Sequence, residues 1–403
     1  MSKSIVIIGC FDTKGEDFTY LYNCIKIQEK NVITINTGVM DNTAEFPIDF
    51  DNEKVALEAG TSLISIRESG DRGKAVEFMG KGATKILSQL VSNEQVKGVI
   101  GMGGGGGTYI VLEAIQSVPF GIPKLCLSTL AGKDLSRQIG VKDITMMASV
   151  VDVAGVNSIS ALLMEQAAAA ICGMAKVVSK TTDKTNKKIA ISMFGNTTKC
   201  VNKCTELLRQ KGYEVFVFHA TGTGGATMES LIRQGLLDGV LDVTTTELAD
   251  ELCEGILSAG PDRVTAAGDI GIPQIIVPGC LDMVNYAQVH TIPEKYKSRQ
   301  LYSWSPDITL MRTNAEENKI LGNELAIKAK NAKGPVEIIL PLKGVSILDS
   351  PGERFYLPEV DAVLFESIKK GVKGQIVVTE IDTDINNEIF ATTLVERLLN
   401  LMN

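Results

Sequence analysis

The sequence predicts an α/β protein made of two Rossmann-like, doubly wound parallel-sheet domains related by an internal duplication. Three observations carry this reading. Runs such as SIVIIG (4–9) and VFVF (215–218) are continuously apolar, as strands covered by helices on both faces must be. Each run leads through a polar or glycine-rich turn into a segment with helical spacing. The order of these units in the first half then recurs in the second.

In order, SIVIIG passes through the turn CFDTKGED into the helical FTYLYNCIKIQEK and the apolar NVITINTG, a β-α-β unit. Its counterpart is IAISMFG, NTTK, CVNKCTELLRQKG and EVFVFHATGTGG. Next, VKGVIGMGGGGGTYIVLEAI precedes FGIPKLCLSTLAGKD in the first half, and LDGVLDVTTTELADELCEGI precedes IGIPQIIVPGCLD in the second. Each is a strand, a turn and a helix, then a "GIP" that opens another strand. An Ala-rich helix is expected over 157–176, followed by the polar stretch VSKTTDKTNKK (178–188), which reads as an exposed linker. The domains are therefore drawn at 1–180 and 186–403. GPVEIILPLKGVSILD and QIVVTEIDTDIN add two strands, and NEIFATTLVERLLNLM a closing helix.

The 403 residues are 44% apolar and 22% charged, the balance of a globular protein with sizeable cores. A net charge of -8 with scattered lysines lacks the footprint of a nucleic-acid binder, so a small molecule or nucleotide is the expected partner. The N-terminal apolar run is too short for a signal peptide and no apolar span approaches 20 residues, so a cytoplasmic protein without membrane contact is expected. Eight cysteines lie mostly in apolar runs without C-x-x-C spacing and read as reduced, packed thiols. Cys200 and Cys204 have a spacing that a metal could use, but neither histidine is near them in sequence. The Ala-rich helix suits a homodimer or higher homo-oligomer.

Doubly wound sheets bind ligands at the carboxyl ends of their strands, where the unusual residues of this chain fall. The glycines Gly103, Gly104, Gly105, Gly106 and Gly107, with Thr108, lie between a strand and a helix. Ordering five glycines is costly, and bare backbone N–H groups at a helix N-terminus suit an anion. No Lys-Ser/Thr follows, so this is not a Walker A loop, although G-x-G-x-x-G fits Gly101, Gly103 and Gly106. HATGTGG repeats the arrangement with Thr221, Gly222, Thr223, Gly224 and Gly225, and His219 at its strand end is a candidate general acid or base. In the first turn, Asp12, Thr13 and Gly15 surround Lys14, which could pair with a phosphate or serve in catalysis. Gly195, Asn196 and Thr197 could contact phosphate or cap a helix, and Thr245 belongs to a polar TTTE wall that stands where the first half has glycines. Asp382 and Asp384, two apart on an expected strand, could share Mg²⁺.

Nine motifs in order, GCFDTKGED, GMGGGGGT, DITMMASVVDVAGVN, MFGNTT, VFHATGTGG, DVTTTELADEL, PGCLDMVNY, TLMRTNAEEN and LPLKGVS, resemble the family of the tomato mosaic virus resistance protein's ATP-binding domain. The resemblance implies two Rossmann-like subdomains and ATP binding, in a single-module member without the C-terminal barrel of the plant proteins. It also implies that a plant member inhibits viral RNA replication by binding a viral replication protein, and it brings no established reaction. By position, the family's glycine-rich segment falls on Gly103 to Thr108, its first-turn motif on Asp12 to Gly15, and its histidine-threonine-glycine motif on His219 to Gly225. Two departures stand out. Ser303, Trp304, Ser305 and Pro306 replace an expected His-Asn-Pro, and Asp384, Ile385 and Asn386 replace an expected His-Ile-Asn.

Three functions follow. The first is an ATP-binding protein with phosphates at the glycine loop and ligand volume between the subdomains. The second is an enzyme on a small carboxylated or phosphorylated metabolite, using His219 or Lys14 and a Mg²⁺ at Asp382 and Asp384. The third is a non-catalytic interaction module.

Overall fold

The computed structural model describes residues 3–178 and 186–403. Most of the expected linker, 179–185, thus lies outside the described residues. The chain divides into two compact units, Met1–Thr182 and Asp183–Asn403.

The first unit runs β1 (Ser4–Gly9), α1 (Gly15–Gln28), β2 (Val32–Asn36), α2 (Asn52–Glu58), α3 (Leu63–Ser69), α4 (Arg72–Ser92), β3 (Val96–Gly103), α5 (Gly105–Ile115), β4 (Lys124–Ser128), α6 (Ser136–Ile139), β5 (Ile144–Ala148) and α7 (Ser158–Ala175). Its five strands are all parallel, in the order β2-β1-β3-β4-β5. The winding therefore reverses between β1 and β3. Along β1, Ile5 and Ile7 face one layer, with Phe18 and Leu21 of α1 and Met164 and Ile171 of α7. Val6 and Ile8 face the other, with Met79 and Ile86 of α4 and Val111 and Leu112 of α5. Burial on both faces is why the strand reads as an unbroken apolar run.

Helix starts in this unit fall into two groups. Side chains of Asp51, Ser62, Asp71 and Asn157 accept backbone N–H groups at the starts of α2, α3, α4 and α7. By contrast, α1, α5 and the one-turn α6 begin at Lys14, Gly104 and Leu135 with no side-chain cap. Among the described residues, α7 is the one helix whose length and mean hydropathy, 1.4, match a membrane span. Its Met164, Ala167, Ala168, Ile171 and Cys172 pack into the unit's core at helical spacing.

The second unit runs β6 (Lys188–Met193), α8 (Thr198–Gln210), β7 (Glu214–His219), α9 (Thr223–Arg233), β8 (Gly239–Thr244), α10 (Thr246–Cys253), α11 (Ala266–Ile270), β9 (Gln274–Gly279), β10 (Met283–Tyr286), β11 (Leu301–Ser305), β12 (Ile308–Arg312), α12 (Ala315–Lys330), β13 (Val336–Pro341), α13 (Pro358–Val372), β14 (Val377–Ile381) and α14 (Glu388–Leu401). Its main sheet is parallel, in the order β14-β13-β9-β8-β6-β7. Read from its own first strand, this is the winding of the first unit with one strand added, which makes the duplication visible in topology. A separate antiparallel sheet, β10-β12-β11, sits between β9 and α12 in sequence; its short strands carry none of the long apolar runs by which the others are recognised.

Candidate functional site

The reversal between β1 and β3 opens onto a cavity of about 610 Å³. Doubly wound sheets of this strand order hold ligands at that position, because the loops on either side diverge there. The turn after β1 contributes Cys10, Asp12, Thr13 and Lys14; the segment after β2, Thr37 to Met40; α4, Arg72, Ala75, Val76 and Met79; and the end of β3, Met102 through Gly107. Asp152 and Ile110 complete the wall, and every lining residue belongs to the first unit.

The glycines divide sharply by what surrounds them. A Cβ on Gly101 would collide with Val111, and one on Gly103 would stand 2.9 Å from the Cα of Gly107, so these two serve packing between strand and helix. A Cβ on Gly105 would meet nothing within 4 Å, and one on Gly107 only Met102 O at 3.6 Å. None of the five has a left-handed φ. Neither packing nor backbone conformation therefore explains the absence of side chains at Gly105 and Gly107, which leaves open space along the cavity wall. In the same turn, the first intrahelical bond runs from Thr108 N–H to Gly104 O at 2.8 Å. The N–H groups of Gly105, Gly106 and Gly107 have no acceptor among the described residues, as expected for an uncapped first turn.

Charge around this turn is mixed. Lys14 is half-buried and Arg72 exposed, and neither pairs with a carboxylate among the described residues. Asp12, nearly buried, accepts Met40 N–H at 2.9 Å and Thr13 N–H at 2.6 Å, so it braces the loops around the site. Asp152 accepts Val153 N–H at 2.9 Å, is exposed, and stands beside the glycine turn, its Oδ1 4.0 Å from the place of a Cβ on Gly104. Burial pushes the Cys10 thiol up to about 11, which keeps it protonated and unreactive at neutral pH. Val39, Val76, Met79, Met102 and Ile110 make the remaining wall apolar. A ligand with an anionic end and an apolar or aromatic body matches this division.

Several expected site residues are placed elsewhere. Thr108 is buried, its hydroxyl 2.7 Å from Ser128 Oγ and 3.1 Å from Gly103 O, so it closes the turn from behind. The HATGTGG loop is not a free anion cradle. Glu247 fills it: its Oε1 accepts Gly222 N–H at 2.8 Å and Gly225 N–H at 3.1 Å. Gly225 is glycine because a Cβ would collide with that carboxylate, and Gly224 because one would collide with His219 O. Thr221 turns its hydroxyl onto His219 O at 3.3 Å. His219 itself is exposed at the end of the edge strand β7, with its ring 5.5 Å from that of Phe194, and lines none of the cavity described above.

The second unit's own reversal, between β6 and β8, is closed by side chains. Arg263, fully buried, holds Asp242 with two bonds of 2.6 Å, Glu247 at 2.5 Å and Glu229 at 3.1 Å. Thr197 and Thr244 join hydroxyls at 2.7 Å, and Thr245 donates to Val277 O at 3.1 Å. Asn196 is buried beside Met283, while Gly195 is exposed at the turn. The expected polar wall is interior packing. The Mg²⁺ pair is also reassigned: β14 stops at Ile381, Asp382 pairs with Lys343 at 2.9 Å, and Asp384 caps the turn by accepting Asn386 N–H at 2.9 Å. Among the described residues no group of three or more His, Cys, Asp or Glu side chains is placed to hold a metal ion.

Sequence reading missed Arg72 and the Thr37 to Met40 segment. Arg72 opens α4 with no motif around it, and only the fold carries it to Gly106, where its Nη2 lies 3.8 Å from the place of a Cβ.

Comparison with known proteins bears on identity. Residues 3–180 match the model for the Uncharacterised protein family (UPF0261) N-terminal domain, and residues 186–402 the model for its C-terminal domain. A "UPF0261 protein" of Clostridium tetani is 43% identical over 403 residues, covering 100% of both chains. The "ToMV resistance protein Tm-1(GCR237)" of Solanum lycopersicum is 35% identical over 421 residues, covering 99% of this chain and 56% of the tomato protein. Among solved structures, the UDP-GlcNAc 2-epimerase of Neisseria meningitidis bound to UDP-GlcNAc aligns over 99% of this chain and 100% of its own, at 10% identity and a TM-score of 0.24, too low to carry an argument. With both domain models matched along nearly its whole length, the chain belongs to the UPF0261 family.

Proposed function

We propose that the first unit binds ATP, with phosphates on the N–H groups of Gly105, Gly106 and Gly107 and the base against the apolar wall. One observation carries the reading: these amides lack acceptors among the described residues, and the space beside Gly105 and Gly107 on the cavity wall is filled by no side chain. The positive end of the α5 dipole points at the same space. Lys14 supplies a point charge and Arg72 a planar fork for phosphate oxygens. Support for adenine nucleotide over another anion comes from the family resemblance, while the pocket chemistry supports the anion. The role is binding in the cytoplasm, consistent with eight free cysteines; His219 is not at the cavity, and no other histidine lines it.

Calorimetric titration with ATP, with and without Mg²⁺, tests this on the wild type and on Gly105→Val. The expected result is saturable heat from the wild type and its loss in the variant. Absence of heat from the wild type overturns nucleotide binding, and equal heat from both proteins moves the site away from this loop.

A further inference from the structure

The two halves of the duplication treat one sheet edge differently. β2 and β7 are counterparts, each the edge strand beside the first strand of its unit. β2 is covered by its own chain: Thr34 N–H donates to Asp49 Oδ2 at 2.9 Å, Asn36 N–H to Phe50 O at 2.9 Å, and Phe50 N–H returns to Thr34 O at 3.0 Å. No segment among the described residues does this for β7, which passes through HATGTGG straight into α9. Glu214 and Ala220 turn their N–H groups onto Lys187 O and Met193 O, the β6 side, so strand alternation turns those of Val215, Val217 and His219 outward. None of these three finds an acceptor among the described residues. The edge also lacks the usual protection by lysine, proline or a bulge, because EVFVFH keeps unbroken register with β6. At the other end of the same sheet, β14 carries Glu380 in mid-strand, paired with Lys369 at 2.9 Å. Val217 is 41% exposed, and Phe216 and Phe218 are only half-buried against the cluster of Met228 and Ile232.

An open row of strand donors and acceptors is matched by extended backbone. We propose that a second copy of this chain supplies it, β7 pairing antiparallel with the partner's β7 across a two-fold axis at Val217. The strand is self-complementary in that register. Val217 exchanges N–H and C=O bonds with the partner's Val217, and His219 N–H reaches the partner's Val215 O; His219 O is already occupied by Thr221 N–H at 2.8 Å. Side chains match as well. On the α9 side Phe216 stands opposite the partner's Phe218, and on the α8 side Val217 packs on its own copy. Glu214 stands opposite the partner's Ala220, so no like charges meet. A two-fold pairing uses this edge in both copies, and assembly through it stops at a dimer. The interface thus lies on an edge strand of the second unit and not on the Ala-rich α7.

Analytical ultracentrifugation of the full chain over a concentration series, without nucleotide, tests the proposal apart from the anion reading. The wild type is expected to sediment as a dimer. Val217→Lys and Val217→Asp each set like charges against one another on the axis and remove a valine pair, so each should weaken the dimer about 10-fold. Position 217 is exposed, so both variants should keep the wild-type circular dichroism. Mixed in equal amounts, the two variants should pair with each other and recover the wild-type dissociation constant, because the facing charges are then opposite. A wild type that stays monomeric at every concentration overturns the proposal. So does a dimer that both single variants leave unchanged, which places the interface elsewhere, and so does a mixture that fails to pair.

Discussion

Replacing Gly105 and Gly107 together by alanine should move stability and affinity in opposite directions. The two methyl groups enter space where the nearest heavy atom is Met102 O, 3.6 Å from the new carbon at position 107. Alanine is favoured over glycine by about 0.8–1 kcal/mol in a helix interior and by less in a first turn, so the pair should stabilise the free protein by about 1 kcal/mol. For a unit of this size that is a rise of about 2–4 °C in its midpoint. A phosphate kept off the N–H groups loses hydrogen bonds to a charged group, each contributing about 1.5–3 kcal/mol. Losing one weakens ATP binding about 10- to 150-fold. Scanning calorimetry of the full chain and titration with ATP measure both quantities on one preparation. Gly103→Ala is the control, since its Cβ would stand 2.9 Å from Gly107 Cα and should lower the midpoint. Destabilisation by the double substitution would show that the glycines serve packing, and unchanged affinity would show that the anion does not touch these amides.

Three further outcomes are expected. Lys14→Met and Arg72→Met should each weaken ATP binding, more at low salt than at high salt because Arg72 is exposed, while changing stability by less than about 0.5 kcal/mol; salt-independent losses would argue against charge contacts. Arg263→Met should destabilise the second unit by about 3–5 kcal/mol, because Asp242, Glu247 and Glu229 would lose their shared buried cation. Trp304, the chain's single tryptophan, reports that transition by fluorescence in denaturant, and an unchanged midpoint would refute the prediction. Burial pushes Asp250 up to about 7, Asp349 to about 9 and Asp282 to about 6, so the folded state holds protons that the unfolded chain releases near pH 4. Their contribution is full below pH 4 and is lost as pH rises through 6 to 9, so the Trp304-monitored midpoint should fall between pH 5 and 9; a rise would reverse the assignment.

The duplicated α/β winding, the Ala-rich helix over 157–176, the first turn at Asp12 to Lys14 and the glycine loop were legible in the sequence. Each is a local property: apolar runs report burial on both faces, and glycine or capping residues report backbone geometry within a few positions. Whether a loop's N–H groups are free is not local. Gly222 and Gly225 look like Gly105 and Gly107, yet Glu247, more than twenty residues away, reaches back into the first pair, and Arg263 anchors it there. Arg72 carries no motif and joins the cavity only because α4 packs beside α5. Asp382 and Asp384 lost their shared face when β14 ended one residue earlier. The sequence by itself determined two Rossmann-like halves and a bare backbone turn in the first. Only tertiary structure decided that this turn stays open while its counterparts are filled, because burying a charge forces it to find partners, and those partners come from distant parts of the chain.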